Sequence, residues 1–114
     1  MALKLTDINM LQDYINGMMA RVDHHGGPVN EIILALIGAI LWKKDEDRPI
    51  LIREKNGSSK NLIWTHIKGV KYAFCYNHFT QEIEMYKNGM KGELITTFTN
   101  ETSFKDIRKV FSNL

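Results

Sequence analysis

The sequence is poor in the residues that mark disulfide-rich and metal-binding proteins. Its single cysteine, Cys75, excludes an intramolecular disulfide and suits a reducing compartment. It contains no Cys-x-x-Cys or His-Glu-x-x-His pattern, no glycine-rich phosphate loop and no nucleophile elbow. We therefore expect no cofactor, and the sequence favours a non-enzymatic protein over an enzyme.

The chain also has no marked excess of basic or acidic residues. The 15 lysine and arginine residues nearly balance the 13 aspartate and glutamate residues, which gives a formal net charge of +2. The basic residues are scattered along the chain. The acidic residues Glu82, Glu84 and Glu93 lie close in sequence to the lysines that could accompany aromatic residues. A nucleic-acid surface usually clusters basic side chains on one face. We therefore expect no nucleic-acid partner, and weak stacking of single-stranded bases is a minor alternative.

Long hydrophobic runs are limited to one segment of 11 residues, Ile32–Trp42. A helix needs about 20 apolar residues to span a bilayer, so this run predicts a buried helix and no membrane partner. The opening residues, MALKLTD, also lack the extended apolar stretch of a secretory signal. We therefore expect a cytoplasmic location.

The same run predicts how its helix packs. A helix that is apolar all round must be covered on most sides. Ala35, Gly38, Ala39 and Trp42 follow one another at helical spacing, so they share one line along this helix. Three small side chains on that line would let another backbone approach closely, either from the same chain or from a second copy.

Periodicity and turn residues predict a single α+β domain over residues 1–114. The predicted helices are Asp7–His24, Pro28–Lys43 and Ser103–Ser112, and the predicted strands are Ile50–Glu54, Leu62–Ile67, Val70–Asn77, Glu82–Tyr86 and Glu93–Phe98. Turn dipeptides such as Asn56-Gly57 and Lys68-Gly69 separate the strands. We therefore expect two N-terminal helices, a five-stranded antiparallel meander and one C-terminal helix.

A polar cluster lies between the first two predicted helices. His24, His25 and Glu31 carry imidazole and carboxylate groups, which are good zinc ligands. Adjacent histidines on a helix point about 100° apart, however, so the spacing does not match a known metal motif. The alternative is a solvated helix end, which this spacing favours, and we expect no metal.

Aromatic and histidine side chains are concentrated on the second and third predicted strands. Trp64, Tyr72 and Tyr76 could form the walls of a small-molecule site. His66 or His78, with Tyr76, could then supply the catalytic groups of a small enzyme. The alternative is ordinary cross-strand packing of aromatic residues, which is the more common arrangement.

Four segments resemble the small proteins encoded by bacterial integron gene cassettes. They are LKLTDINMLQDYINGMM, HHGGPVNEIILALIGAILWKKD, VKYAFCYNH and IEMY, which together cover much of the chain. The resemblance implies a bacterial, cytoplasmic accessory protein with an α+β fold. It carries over no catalytic or binding residue.

Excess apolar surface points to assembly. The helix over Ile32–Trp42 and both faces of the central strands are apolar, and a domain of this length has few layers in which to bury them. A symmetric dimer is the commonest way to cover such surface. We therefore expect a homodimer that binds a small molecule or a protein partner, with the histidine enzyme as the alternative function.

Overall fold

The computed structural model describes the backbone of residues 2–5, 7–25, 27–55, 58–89 and 91–114. Side chains are described for the same residues except 2–5, 22, 24–25, 54–55 and 58–61. In chain order the elements are strand β1 (Ala2–Leu5), helix α1 (Ile8–His25), a 3-10 turn (Gly27–Val29), α2 (Ile32–Lys43), β2 (Ile50–Lys55), β3 (Ser58–Ile67), β4 (Val70–Asn77), β5 (Glu82–Lys87), β6 (Glu93–Phe98) and α3 (Phe104–Ser112).

The strands form one antiparallel sheet in the order β1-β2-β3-β4-β5-β6. The predicted α+β fold is confirmed, with two N-terminal helices, the meander of β2 to β6 and a C-terminal helix. The structure adds β1 at the edge of the sheet, where Leu3 pairs with Ile52 of β2. A strand of four residues is too short for an alternating pattern to be recognised, so periodicity does not reveal it.

The three helices lie against one side of the sheet, which we call the helical face. Ile63, Phe74 and Met85 are cross-strand neighbours on this face, and Phe74 and Met85 are buried in a core that all three helices share. Phe111 of α3 stacks on Phe74, with ring centroids 6.1 Å apart. Successive side chains of a strand point to opposite faces, so the residues between these form a second face that none of the described helices covers. We call it the open face.

The start of α2 is fixed by a distant residue, Asn100, in the connection between β6 and α3. Its side-chain oxygen accepts hydrogen bonds from the amides of Glu31 and Ile32, each at 2.9 Å. Its amide group donates to the Gly27 carbonyl at 3.0 Å and to Asn30 Oδ1 at 2.9 Å. The first turn of a helix lacks internal partners for its amides, and here a long-range side chain supplies them.

Asp45 holds the turn between β3 and β4. The amides of Lys68 and Gly69 donate to its two carboxylate oxygens at 2.8 Å and 2.9 Å. Both turn residues have positive φ, 51° for Lys68 and 78° for Gly69, as the predicted Lys68-Gly69 turn requires. The other predicted turn, Asn56-Gly57, lies outside the described residues.

Helix α2 is less covered than its sequence predicts. Ile32, Leu36, Ile37 and Ile40 are buried, but Leu34 is 52% exposed and Trp42 is 56% exposed. A Cβ atom added to Gly38 would meet no atom within 4 Å. The prediction that α2 is covered on most sides is therefore wrong for the single chain, because the sheet and the other helices contact only one side of it.

Candidate functional site

The side chains of the predicted aromatic site lie on two different faces of the sheet. Trp64 pairs with Ala73 and His66 pairs with Lys71, whereas Thr65 pairs with Tyr72. Alternation along β3 and β4 therefore places Trp64 and His66 on the open face and Tyr72 on the helical face. A one-residue offset decides which face a strand residue occupies, so these side chains cannot form one pocket.

On the open face, polar side chains bind mainly to one another. Lys71 Nζ lies 5.0 Å from the centre of the Trp64 ring. Glu84 accepts hydrogen bonds from the Tyr86 hydroxyl at 2.9 Å and from Asn77 Nδ2 at 3.2 Å. The hydrogen bond to Glu84 is the main reason that the pKa of Tyr86 is raised. This face is therefore a packed surface of paired side chains and not a cleft.

His66 is a poor candidate for an acid–base group in a cleft. Its Nδ1 is buried and has no hydrogen-bond partner. Burial, and then the nearby charges of Arg48 and Lys71, lower the pKa of this imidazole, so it is neutral at neutral pH. His66, Trp64 and Tyr72 also lie outside the lining of the cavity between the sheet and helices α1 and α2.

A cavity of about 210 Å³ lies on the helical face, between the sheet and helices α1 and α2. Most of its walls are aliphatic or aromatic side chains that also belong to the core. The lining residues are Tyr14, Met18, Arg21, Val29, Ile33, Leu36, Ile37, Ile40, Leu62, Ile63, Phe74, Cys75, Tyr76, His78 and Ile83. A largely apolar concave space with a few polar groups is the usual form of a small-molecule site.

Helix α1 supplies one wall through three residues at helical spacing. Tyr14, Met18 and Arg21 follow one another at i, i+4 and i+7, so they face the same side of the helix. Tyr14 and Met18 are buried, and Arg21 is half-buried. Gly17 lies beside the arginine, and a Cβ atom at this position would come within 3.8 Å of Arg21 Nη1. This is an ordinary van der Waals distance, so the guanidinium lies along the helix beside Gly17.

The polar groups of the cavity are few. Arg21 Nε is buried and has no hydrogen-bond partner. Burial raises the pKa of Tyr14, and the charge of Arg21 partly opposes that shift. Tyr76 and His78 also line the space, with their rings edge to face and their centroids 4.9 Å apart. Of the predicted site residues, the structure brings these two to the cavity.

Cys75 contributes to the lining, although alternation places its side chain with Glu84 on the open face, and its thiol is not activated. Burial, and then the charge of Glu84, raise its pKa above the ordinary value. Its sulfur donates a weak hydrogen bond to the Tyr76 carbonyl at 3.7 Å. A nucleophilic cysteine requires the opposite shift, since the thiolate is the reactive form.

The predicted metal ligands lie partly outside the described residues. The side chains of His24 and His25 are not among those described, and Glu31 is exposed. Among the side chains that the structure does describe, no three histidine, cysteine, aspartate or glutamate residues meet to hold a metal ion. The described part of the chain likewise contains no helix whose length and hydropathy suit a bilayer crossing.

Sequence reasoning missed the α1 wall of the cavity. Helical spacing predicts an apolar stripe of α1 through Ile8, Leu11, Ile15, Met18 and Val22, yet Ile8 is 79% exposed, Tyr14 is buried, and the side chain of Val22 lies outside those described. Leu11, Ile15 and Met18 contact the core as predicted, but the packed side of α1 also extends through Tyr14 to the half-buried Arg21. A signal was present, because Arg21 lies three residues after Met18 and so on the same face.

Comparison with known proteins agrees with the resemblance seen in the sequence. The family model described as "Integron cassette protein VCH_CASS1 chain" matches residues 11–108. This span includes both walls of the cavity and every strand of the meander. No curated protein matches the chain.

Proposed function

The chain belongs to the family of the integron cassette protein VCH_CASS1, and we propose that it binds a small, largely apolar molecule in the cavity between α1, α2 and the sheet. The observation that carries this proposal is a partly open, largely apolar space of about 210 Å³ between α1, α2 and the sheet, beside the hydrophobic core. Protein interiors are normally close-packed, with few voids larger than a water molecule. A concave space of this size between packed elements of a small domain is therefore a candidate binding site.

The contacts that the cavity walls lack support a ligand. Side chains around a void lose contacts that neighbouring atoms would provide, and the loss grows with cavity volume. A bound apolar molecule would restore these contacts for Met18, Ile37 and Ile83. Polar lining groups are few, so water would find few partners there. A small apolar ligand suits the space better than ordered water does.

Octan-1-ol is a suitable neutral probe, and ¹H–¹⁵N NMR titration measures its binding. We expect saturable shifts at amides of α1, α2 and β4. Replacing Ile33, a half-buried lining residue, with phenylalanine should fill the space and weaken binding at least about tenfold.

Leu94→Phe is the matched control, since Leu94 on β6 is 48% exposed and lies outside the cavity lining. It should leave the affinity for octan-1-ol unchanged. Absence of saturable binding by the unmodified protein, or equal binding by both variants, would refute the proposal.

We also propose that the exposed side of α2 pairs with α2 of a second copy. Leu34, Gly38 and Trp42 follow one another at four-residue spacing on this side. A two-fold axis at Gly38 would place Leu34 of one copy near Trp42 of the other, so the stripe is complementary to itself. Open space at Gly38 would let the two helices approach closely. The lack of any charge from Ile32 to Trp42 supports this occupant.

The open face is a weaker candidate for this interface. Ala73 at its centre is fully buried, because Trp64 and Tyr86 flank it on the adjacent strands. Both of these aromatic side chains are half-buried, and their polar neighbours already have partners. In contrast, the exposed side of α2 lies next to Phe104 of α3, which is 75% exposed, so the two helices share one exposed apolar surface.

Sedimentation at micromolar concentration tests the pairing. We expect a dimer that Leu34→Glu converts to a monomer, because the substitution would bury a charge at the interface. Phe79→Glu is the control, since Phe79 is fully exposed in the turn after β4. A monomeric unmodified protein, or a dimer that Leu34→Glu leaves intact, would exclude this interface.

A further inference from the structure

We propose that the natural ligand is an amphiphilic carboxylate whose apolar body fills the cavity and whose carboxylate pairs with Arg21. This inference rests on the proposed function and specifies the ligand class. It starts from a cationic side chain in an otherwise apolar lining.

The guanidinium of Arg21 has unused hydrogen-bonding capacity on the inside of the protein. Its Nε is buried and lacks a hydrogen-bond partner. Buried donors are nearly always paired, and this nitrogen has no acceptor among the described residues, so the guanidinium is free to turn toward an acceptor in the cavity that Arg21 lines. Arginine remains charged in proteins, and the acceptor that its planar group fits best is an anion with two oxygens.

The rest of the lining limits the charge of that anion. Arg21 is the only lysine or arginine among the described lining residues. A carboxylate carries one negative charge and accepts two parallel hydrogen bonds from a guanidinium. A phosphate monoester carries nearly two charges at neutral pH and would leave one unmatched here. A carboxylate is therefore the better match.

Tyr14 can add a second donor to the same group. It lines the cavity close enough to Arg21 for the charge to affect its titration. Because burial raises the pKa of Tyr14, its hydroxyl keeps its proton at neutral pH. Tyr14 and Arg21 then form the polar end of an apolar space, which is the pattern expected for an amphiphile.

The volume sets the size of the apolar body. A cavity of about 150 Å³ is known to hold benzene, so the present 210 Å³ accommodates a body of about eight carbons. Octanoate is a suitable probe, and octan-1-ol is its neutral counterpart of the same chain length. The two probes differ mainly in the charged group that Arg21 would bind.

Calorimetry and NMR titration with both probes test the inference. We expect octanoate to bind the unmodified protein at least about tenfold more tightly than octan-1-ol at neutral pH. Arg21→Met keeps an apolar side chain of similar length and should abolish this preference while octan-1-ol binding is retained. Arg21→Lys should retain part of the preference, because it keeps the charge but loses the fork geometry.

Arg108→Met is the matched control for the lost positive charge. Arg108 is an exposed residue of α3 and lies outside the lining of this cavity. It should leave the affinities for both probes unchanged. Retained binding of octan-1-ol by Arg21→Met also serves as the test that this variant is folded.

The outcomes separate this inference from the proposed function. If octan-1-ol binds and octanoate binds no more tightly, or if Arg21→Met keeps the preference, the carboxylate inference is overturned and the apolar site stands. If neither probe binds the unmodified protein, the proposed function fails and the carboxylate inference fails with it.

Discussion

Replacing Asn100 with alanine removes four side-chain hydrogen bonds at the start of α2. Two of them satisfy helix amides, and the loss of such a cap typically costs about 1–2 kcal/mol. The other two, to Gly27 and Asn30, are partly exposed and contribute about 0.5–1 kcal/mol each. The free energy of unfolding should therefore fall by about 2–4 kcal/mol.

Urea denaturation monitored by far-UV circular dichroism measures this loss. We expect a lower midpoint with an unchanged m-value, and a melting temperature lower by about 10 °C. Asn100→Asp keeps an acceptor for Glu31 and Ile32 but replaces the donor to Gly27 and Asn30 with a second acceptor, so it should recover only the part of the stability that comes from the two helix amides. Asn113→Ala, at an exposed position in the C-cap of α3, should change stability by less than about 0.5 kcal/mol.

A loss below about 0.5 kcal/mol in Asn100→Ala would refute the reasoning, because the four bonds would then contribute nothing beyond what water supplies. The result also bears on the site. Asn100 fixes the start of α2, and α2 forms one wall of the cavity. A destabilised α2 should weaken binding of octan-1-ol along with the fold.

Three further predictions concern other parts of the chain. The amides of Gly69 and Lys68 donate to Asp45 and lower its pKa below the unfolded value of 3.8. The stability that Asp45 contributes is therefore present above pH 3.8 and is lost as the pH falls through the lower pKa of the folded state. In urea melts from about pH 6 to about pH 3, the stability difference between the unmodified protein and Asp45→Asn should shrink on acidification. Thr65 is fully buried and its hydroxyl has no partner, so Thr65→Val should be neutral or stabilising by up to about 1 kcal/mol, and a loss above this in urea denaturation would contradict the assignment. Phe111→Ala should cost about 3–5 kcal/mol in the same assay, whereas Phe79→Ala, in the exposed turn after β4, should cost less than about 0.5 kcal/mol.

Element types were predictable because they depend on local patterns. Strands β4 and β5 alternate with a period of two, and α2 is a continuous apolar run, so both types could be read from neighbouring residues. The position at which α2 begins could not be predicted in this way, because the side chain that caps the helix is Asn100, far along the chain. Strand β1 was missed because its four residues are too few for an alternating pattern to be recognised.

The candidate site was predictable only in part. The sequence indicated Tyr76 and His78, which line the cavity, but it combined them with Trp64 and His66 from the opposite face. It did not indicate Arg21. Pairing register between strands and the rotation of a helix about its axis both depend on contacts between distant segments, and neither is encoded in a single residue pattern.

The sequence by itself determined the order and type of most elements, the family and the surplus of apolar surface, because periodicity and composition are local properties. The tertiary structure decided which sheet face the helices cover, which side of α2 remains exposed, and that Arg21 meets an apolar cavity. These outcomes depend on how surfaces of different elements fit together in three dimensions. Close packing leaves a space where they do not fit, and only the folded chain shows where that space lies.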